Sequence, residues 1–181
     1  PAARARGAPF RVYPSDLPGH TSHPMSSNPT TGLVSIPGLD IPATYGQPDT
    51  VRYNPGVANT GTDGVAGGLP DDQAERDAIG ALVKGRLLAW DPVKQEEAWR
   101  VEHRGPWNGG TLSTAGNLVF QGTADGKLAA FNAGTGQELW SFATQTGVVA
   151  PPISYDIDGE QYISVNVGWG GSFALVFGEY V

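Results

Sequence analysis

One repeat constrains this chain more than any other feature. "GRLLAWDPVKQEEAWRV" (85–101) and "GKLAAFNAGTGQELWSF" (126–142) align without gaps at an offset of 41 residues. Gly85 falls on Gly126, Leu87 on Leu128, Ala89 on Ala130, Trp90 on Phe131 and Trp99 on Trp140. Each copy reads as a short apolar strand, a polar turn, and a second strand ending in Trp. A period of about 40–45 residues is that of a four-stranded propeller blade. The flanking segments keep the same beat. "GNLVFQGTADGKLAAF" reads strand, turn, strand, with Asp125-Gly126 as a hairpin turn, and "ISYDIDGEQYISVNV" turns at Asp158-Gly159. A weaker third copy, "MSSNPTTGLVSIPG" (25–38), resembles "TLSTAGNLVFQG" (111–122) with a turn two residues longer. The predicted fold class is all-β, a partial β-propeller of about three to four blades.

Residues 45–80 are rich in Gly, Pro, Asn and Asp and show no period. They read as an excursion over one face of a single domain spanning 1–181, and "DDQAERDAIGALV" predicts one short helix there. Without the excursion, roughly 145 residues remain, or about three and a half blades. Propellers close with about four to eight blades, and an open arc leaves unpaired faces. A second stretch of propeller is therefore expected as partner.

Composition narrows the function classes. Eleven Lys+Arg against 18 Asp+Glu give a net charge of −7 with no basic stripe, which argues against nucleic acid. No apolar run has the length of a membrane-spanning helix. Cysteine is absent, so disulfides, CxxCH haem attachment and thiolate metal sites are excluded within this chain. "PAARARGAPF" lacks the apolar core of a signal peptide.

Glycine inside strands costs entropy and marks close approach by a ligand or another backbone. Trp107-Asn108-Gly109-Gly110 therefore admits two readings: a bulky blade residue before a bend, or a cofactor wall with an indole N–H, an amide and bare backbone. The 41-residue offset puts Val148-Val149 at the equivalent place. Trp99 and Trp140 read as packing between blades, and Trp90 and Phe131 as core. Gly168-Trp169-Gly170-Gly171 matches no phosphate-binding motif and reads as a loop with Trp169 as an apolar lid, or as a plain surface loop. His20 and His23 form HxxH without an evident third ligand and read as loop histidines. Asp156-x-Asp158-Gly159 lacks the final Glu of a calcium loop, and the hairpin turn is preferred. No Ser/His/Asp or paired-carboxylate arrangement assembles.

"LLAWDPVKQEEAWRV", "WNGGTLSTAGNLVFQGTADGKLAAF", "TGQELWSF", "TGVVAPPISY" and "VGWGG" together resemble the C-terminal part of the pyrroloquinoline quinone (PQQ)-dependent alcohol dehydrogenases, especially their quinohaemoprotein branch. The resemblance runs from about Val12 to Gly171. It implies an eight-bladed propeller with tryptophan-docking motifs, in which Trp99 and Trp140 tie neighbouring blades. It also implies PQQ in the central channel beside a calcium or lanthanide ion, periplasmic location, and oxidation of an alcohol to an aldehyde or ketone. In that chemistry an aspartate is the base, hydride passes to the quinone and the metal is a Lewis acid. Trp107 and Asn108 match the stretch bordering PQQ, Val149 a second pocket position, and Trp169 the wall of the substrate cavity.

The family's aspartate, metal ligands, PQQ-binding lysine, stacking tryptophan and adjacent-cysteine disulfide match nothing in this chain. The resemblance therefore assigns no catalytic and no metal-binding residue here, and expects an N-terminal propeller polypeptide to supply them. A cytochrome c or similar acceptor would be separate. The family's "HNWHxMSxNPxTGLVYIP" reads here "HTSHPMSSNPTTGLVSIP". Thr21 and Ser22 replace the Asn-Trp pair that contacts PQQ, and Ser35 replaces a Tyr. Their hydroxyls keep hydrogen-bonding capacity and lose the amide and the indole. The alternative from another class is a non-catalytic propeller module, for binding or assembly, that has lost quinone binding.

Overall fold

The computed structural model describes residues 10–14, 19–20, 22–46, 50, 52–56, 59 and 72–169. In chain order these form β1 (Phe10–Val12), β2 (Ser26–Asn28), β3 (Leu33–Asp40), β4 (Ala43–Tyr45), α1 (Gln73–Leu82), β5 (Lys84–Asp91) and β6 (Glu96–His103). Next come β7 (Thr111–Ser113), β8 (Leu118–Gly122), β9 (Lys127–Asn132), β10 (Glu138–Ala143), β11 (Ile153–Ile157) and β12 (Glu160–Ser164). Two antiparallel four-stranded sheets result, ordered β2-β3-β5-β6 and β7-β8-β9-β10, followed by the hairpin β11-β12. These are two complete blades and two strands of a third, an all-β propeller segment. Any further strand of the expected three to four blades falls outside the described residues.

The repeat persists into backbone detail. In each blade one residue before the Trp is skipped by the ladder: Ala89 pairs Trp99 and Trp90 pairs Glu97, while Ala130 pairs Trp140 and Phe131 pairs Glu138. The skipped residues, Ala98 and Leu139, are themselves 41 apart, so the bulge is a conserved beat of the repeat. The turns match too. Asp91 Oδ1 accepts from the amides of Val93 and Lys94, as Asn132 Oδ1 accepts from those of Gly134 and Thr135. Gln95 and Gly136 both close these turns at positive φ, 58° and 74°. The weaker third copy is also real: β2-β3 stands to its blade as β7-β8 does to the next. Its turn is not longer by two, however, since the strand gaps are 29–32 and 114–117, four residues each.

The core lies between the blades. Leu33, Leu87, Ala89 and Trp99 of the first blade cluster with Val119, Ala129, Phe131 and Ala133 of the second. Alternation along β3 and β5 turns Leu33, Leu39, Leu87 and Ala89 inward. Alanines at 89 and 129 let the sheets approach, and the fully buried Leu87, Val119 and Phe131 contribute about 1.5–3 kcal/mol each. Phe131 is core as expected, whereas Trp90 is half-buried.

Trp99 spans the two blades. Its indole Nε1 donates to Ala133 O at 3.0 Å, and its ring covers Gly136, where a Cβ would stand 2.6 Å from Trp99 Cε3. The expected docking thus holds for Trp99. Trp140 is 49% exposed, stacked on Phe142 at 6.3 Å, and the positions 41 further along lie outside the described residues.

The excursion interrupts a single hairpin. β3 and β5 pair directly, from Val34–Trp90 to Asp40–Lys84, so residues 41–83 are inserted between adjacent strands of one blade. The predicted helix is α1, running to Leu82, and β4 returns to pair with β1.

Candidate functional site

Strand polarity collects the candidate residues at one end of the sheets. Leu39 pairs Gly85 and Gly85 pairs His103, so β3 ends, β5 begins and β6 ends at the same edge. The same holds where Gly122 pairs Leu128 and Leu128 pairs Phe142. Segments 104–110 and 144–150 both leave from that edge. Ile153 pairs Ser164, which brings 165–169 out beside the entry to β11. Trp107, Asn108, Val149 and Trp169 are therefore neighbours by topology, although they span more than sixty residues of sequence.

Trp107 is 7% exposed and Asn108 3%. The Asn108 amide is engaged at both ends: Nδ2 donates to Gly105 O at 2.8 Å, and Oδ1 accepts from the Ala124 amide at 3.0 Å. It pins the 105–108 turn to the β8–β9 turn of its own blade and fixes where the indole sits. Gly85 makes this possible, since a Cβ there would lie 2.2 Å from Asn108 Nδ2 and 2.3 Å from Gly105 O. His23, half-buried, tilts against Trp107 with ring centroids 6.4 Å apart.

Neighbouring segments, rather than open space, face the two glycines: main-chain oxygens at Gly109 and proline rings at Gly110. A Cβ on Gly109 would lie 2.7 Å from Ala150 O and 3.0 Å from Val148 O. One on Gly110 would lie 2.8 Å from Pro151 Cβ and 2.7 Å from Pro24 Cδ. Gly110 is thus clasped between the preceding blade and the following one. Of the two kinds of close approach that strand glycines signal, these two make room for the neighbouring inner segments. Hydroxyls extend the seam, with Ser26 Oγ 2.9 Å from Thr111 Oγ1 and 2.8 Å from Ser113 Oγ, and the Thr111 amide donating to Pro24 O.

Val149 and Trp169 do share a space. With Ala150, Asn166, Val167 and Gly168 they line an open cleft of about 490 Å³. Trp169 lies flat on bare backbone, since a Cβ at Gly147 would be 2.6 Å from its Cε2. A parallel bridge between Val148 and Gly168, with the Gly168 amide donating to Gly147 O at 2.9 Å, holds the two walls together. Ser22 is exposed and is not part of this lining, and Thr21 lies outside the described residues. Ser35 is buried within β3. His20 Nδ1 meets Pro37 O at 2.9 Å, and among the described residues no group of three or more His, Cys, Asp or Glu is placed to hold a metal. Asp158 and Gly159, both at positive φ, make the expected hairpin turn.

Sequence reading missed a buried relay. Gln121, fully buried, donates through Nε2 to Gly109 O at 2.9 Å and accepts at Oε1 from His103 Nε2, also at 2.9 Å. The neutral His103 ring therefore carries its proton on Nε2. Burial holds His103 below the ordinary value of 6.5, against the opposing pull of the Gln121 bond, and burial with the charge of His20 does the same for His23. Both favour the neutral ring when folded, so their contribution is present above pH 6.5 and lost as pH falls below it. Thermal melts of the complete protein should therefore fall between pH 7.5 and 5.5, and His103→Gln should flatten that slope. Nothing in the repeat signals this pair, because the position 41 beyond His103 is Thr144.

Residues 82–163 match the PQQ family model described as the glucose/ethanol/alcohol dehydrogenase β-propeller domain. Over 96% of its length the chain is 48% identical to a quinohemoprotein alcohol dehydrogenase of Comamonas testosteroni, covering 24% of that protein. A solved quinohemoprotein alcohol dehydrogenase of Pseudomonas putida HK5 superposes with a TM-score of 0.85 at 42% identity, over 93% of this chain and 25% of that one. A europium-containing methanol dehydrogenase superposes with a TM-score of 0.74 at 26% identity, over 94% and 29%. The chain spans about a quarter of the length of the curated relatives it matches.

Proposed function

We propose that the chain, whose residues 82–163 match the PQQ dehydrogenase β-propeller model, supplies one wall of the quinone and substrate pocket of a PQQ-dependent alcohol dehydrogenase. The observation that carries this is the convergence of Val149 and Trp169 on one cleft, beside the buried turn that holds Trp107. A mostly apolar cleft with a broad indole on one side suits a flat ring system and a small alcohol.

Trp107, Asn108 and Val149 would border PQQ. Asn108 would act chiefly by fixing the Trp107 turn, because its amide is already engaged at both ends. By the resemblance, Thr21 and Ser22 would lend hydroxyls to the quinone. Trp169 would close the alcohol side and keep water off it. When bound, PQQ would supply a two-electron acceptor for the alcohol, and Ca²⁺ or a lanthanide would serve as Lewis acid. The catalytic base and the metal ligands would be supplied by the remaining propeller, as the resemblance implies. Electrons would leave to a cytochrome c or similar acceptor, in the periplasm. The europium in one structural relative supports a lanthanide as an alternative to calcium.

The test is an equilibrium titration of the complete propeller protein with PQQ in Ca²⁺, read by quenching of tryptophan fluorescence. Trp107→Ala should weaken binding by about tenfold or more, removing a buried aromatic wall of the pocket. Saturable quenching with alcohol-dependent dye reduction supports the assignment. Absence of both in the unmutated protein leaves a propeller module without quinone chemistry.

A further inference from the structure

We propose that Asn166 selects among alcohols, favouring one that carries a second hydrogen-bond acceptor over a plain alkanol of the same length. This rests on the reading that the cleft receives the alcohol. Of its lining residues, Val149, Ala150, Val167 and Gly168 offer no polar side chain, and Trp169 offers a single indole N–H. Asn166 alone brings both donors and an acceptor.

Its amide differs from those elsewhere in the blades. Asn28 and Asn117 bond each other across the seam, Asn108 holds its turn at both ends, and Asn132 caps the β9–β10 turn. Asn166 has no hydrogen-bond partner among the described residues. Its backbone is nonetheless fixed from both sides, by β12 ending at Ser164 and by Gly168 bridged to Val148. An exposed polar group thus stands on a fixed stretch of backbone at the wall of a mostly apolar cleft, its hydrogen bonds left to water. An alkanol chain lying there strips water from the amide and returns nothing. An ether or hydroxyl oxygen at the same depth accepts from Nδ2 and restores the loss.

The experiment compares 1-pentanol with 3-methoxy-1-propanol, which differ by one CH₂ replaced with oxygen. Both are assayed on the complete PQQ- and Ca²⁺-loaded protein. The unmutated protein should prefer the ether, and Asn166→Leu should lower the ether-to-pentanol ratio of kcat/KM by about three- to tenfold, mainly through KM. Asn166→Asp keeps the shape and removes the donor, so it should lose the same preference even if the Leu variant fails to fold. A ratio unchanged within about twofold in either folded variant overturns the assignment of Asn166 alone. Oxidation of neither alcohol by the unmutated protein overturns the pocket reading, and this one with it.

Discussion

Replacing Trp99 with alanine should cost about 3–5 kcal/mol of stability in the complete propeller, one of the two largest single effects expected in this chain. The ring is 9% exposed, and it belongs to one blade while Gly136, which it covers, and Ala133, to which it donates, belong to the next. Truncation removes the cover over Gly136, strips the donor from Ala133 O, and opens a cavity in the cluster that joins the blades. Trp99→Phe separates these contributions: it keeps most of the packing and loses the N–H, for about 1–2 kcal/mol. Chemical denaturation of the three proteins reads the difference. A loss below about 0.5 kcal/mol for the alanine variant would mean the blades are held by the inner seam instead.

Gly85→Ala is the second large effect, and it acts by a different route from its repeat partner. Gly85 does not have a positive φ, so alanine fits its backbone. The obstacle is space: Asn108 Nδ2 and Gly105 O stand 2.2 and 2.3 Å from the new Cβ, and Pro106 Cα 3.2 Å away. Gly105 O is main chain and has no rotamer to yield, so the turn carrying Trp107 must move. A cost of about 3 kcal/mol is expected, at the upper end of overpacking, together with weaker PQQ binding. Gly116→Ala, which meets only Thr114 Oγ1 at 3.7 Å, should change neither property. Gly126, the repeat partner, sits at φ +85 and is required by its backbone conformation instead. Identical letters at the same beat thus answer to different physics.

The blade plan was legible because a period of 41 residues, two hairpin turns and two closing tryptophans all agreed. The candidate site was legible only as separate pieces. Val149 and Trp169 could be named singly, but their meeting depends on which strand ends share an edge, and that follows from pairing register. The insertion point of residues 41–83 was hidden for the same reason: nothing in the letters shows that β3 and β5 pair across it. The glycines of "WNGG" announced close approach, yet the approaching groups are the main-chain oxygens of Val148 and Ala150 and the rings of Pro151 and Pro24, which lie far off in sequence. His103 and Gln121 stayed invisible because a buried polar pair leaves no periodic trace.

Native mass spectrometry of the complete propeller protein, incubated with PQQ and Ca²⁺ and then denatured, tests most directly whether this chain walls a quinone pocket. The prediction is a folded species heavier than its polypeptide by one PQQ and one cation, releasing both on denaturation, with Gly85→Ala retaining less of the quinone. A folded species at bare polypeptide mass, unchanged by that substitution, would contradict the assignment and leave the blades as a scaffold.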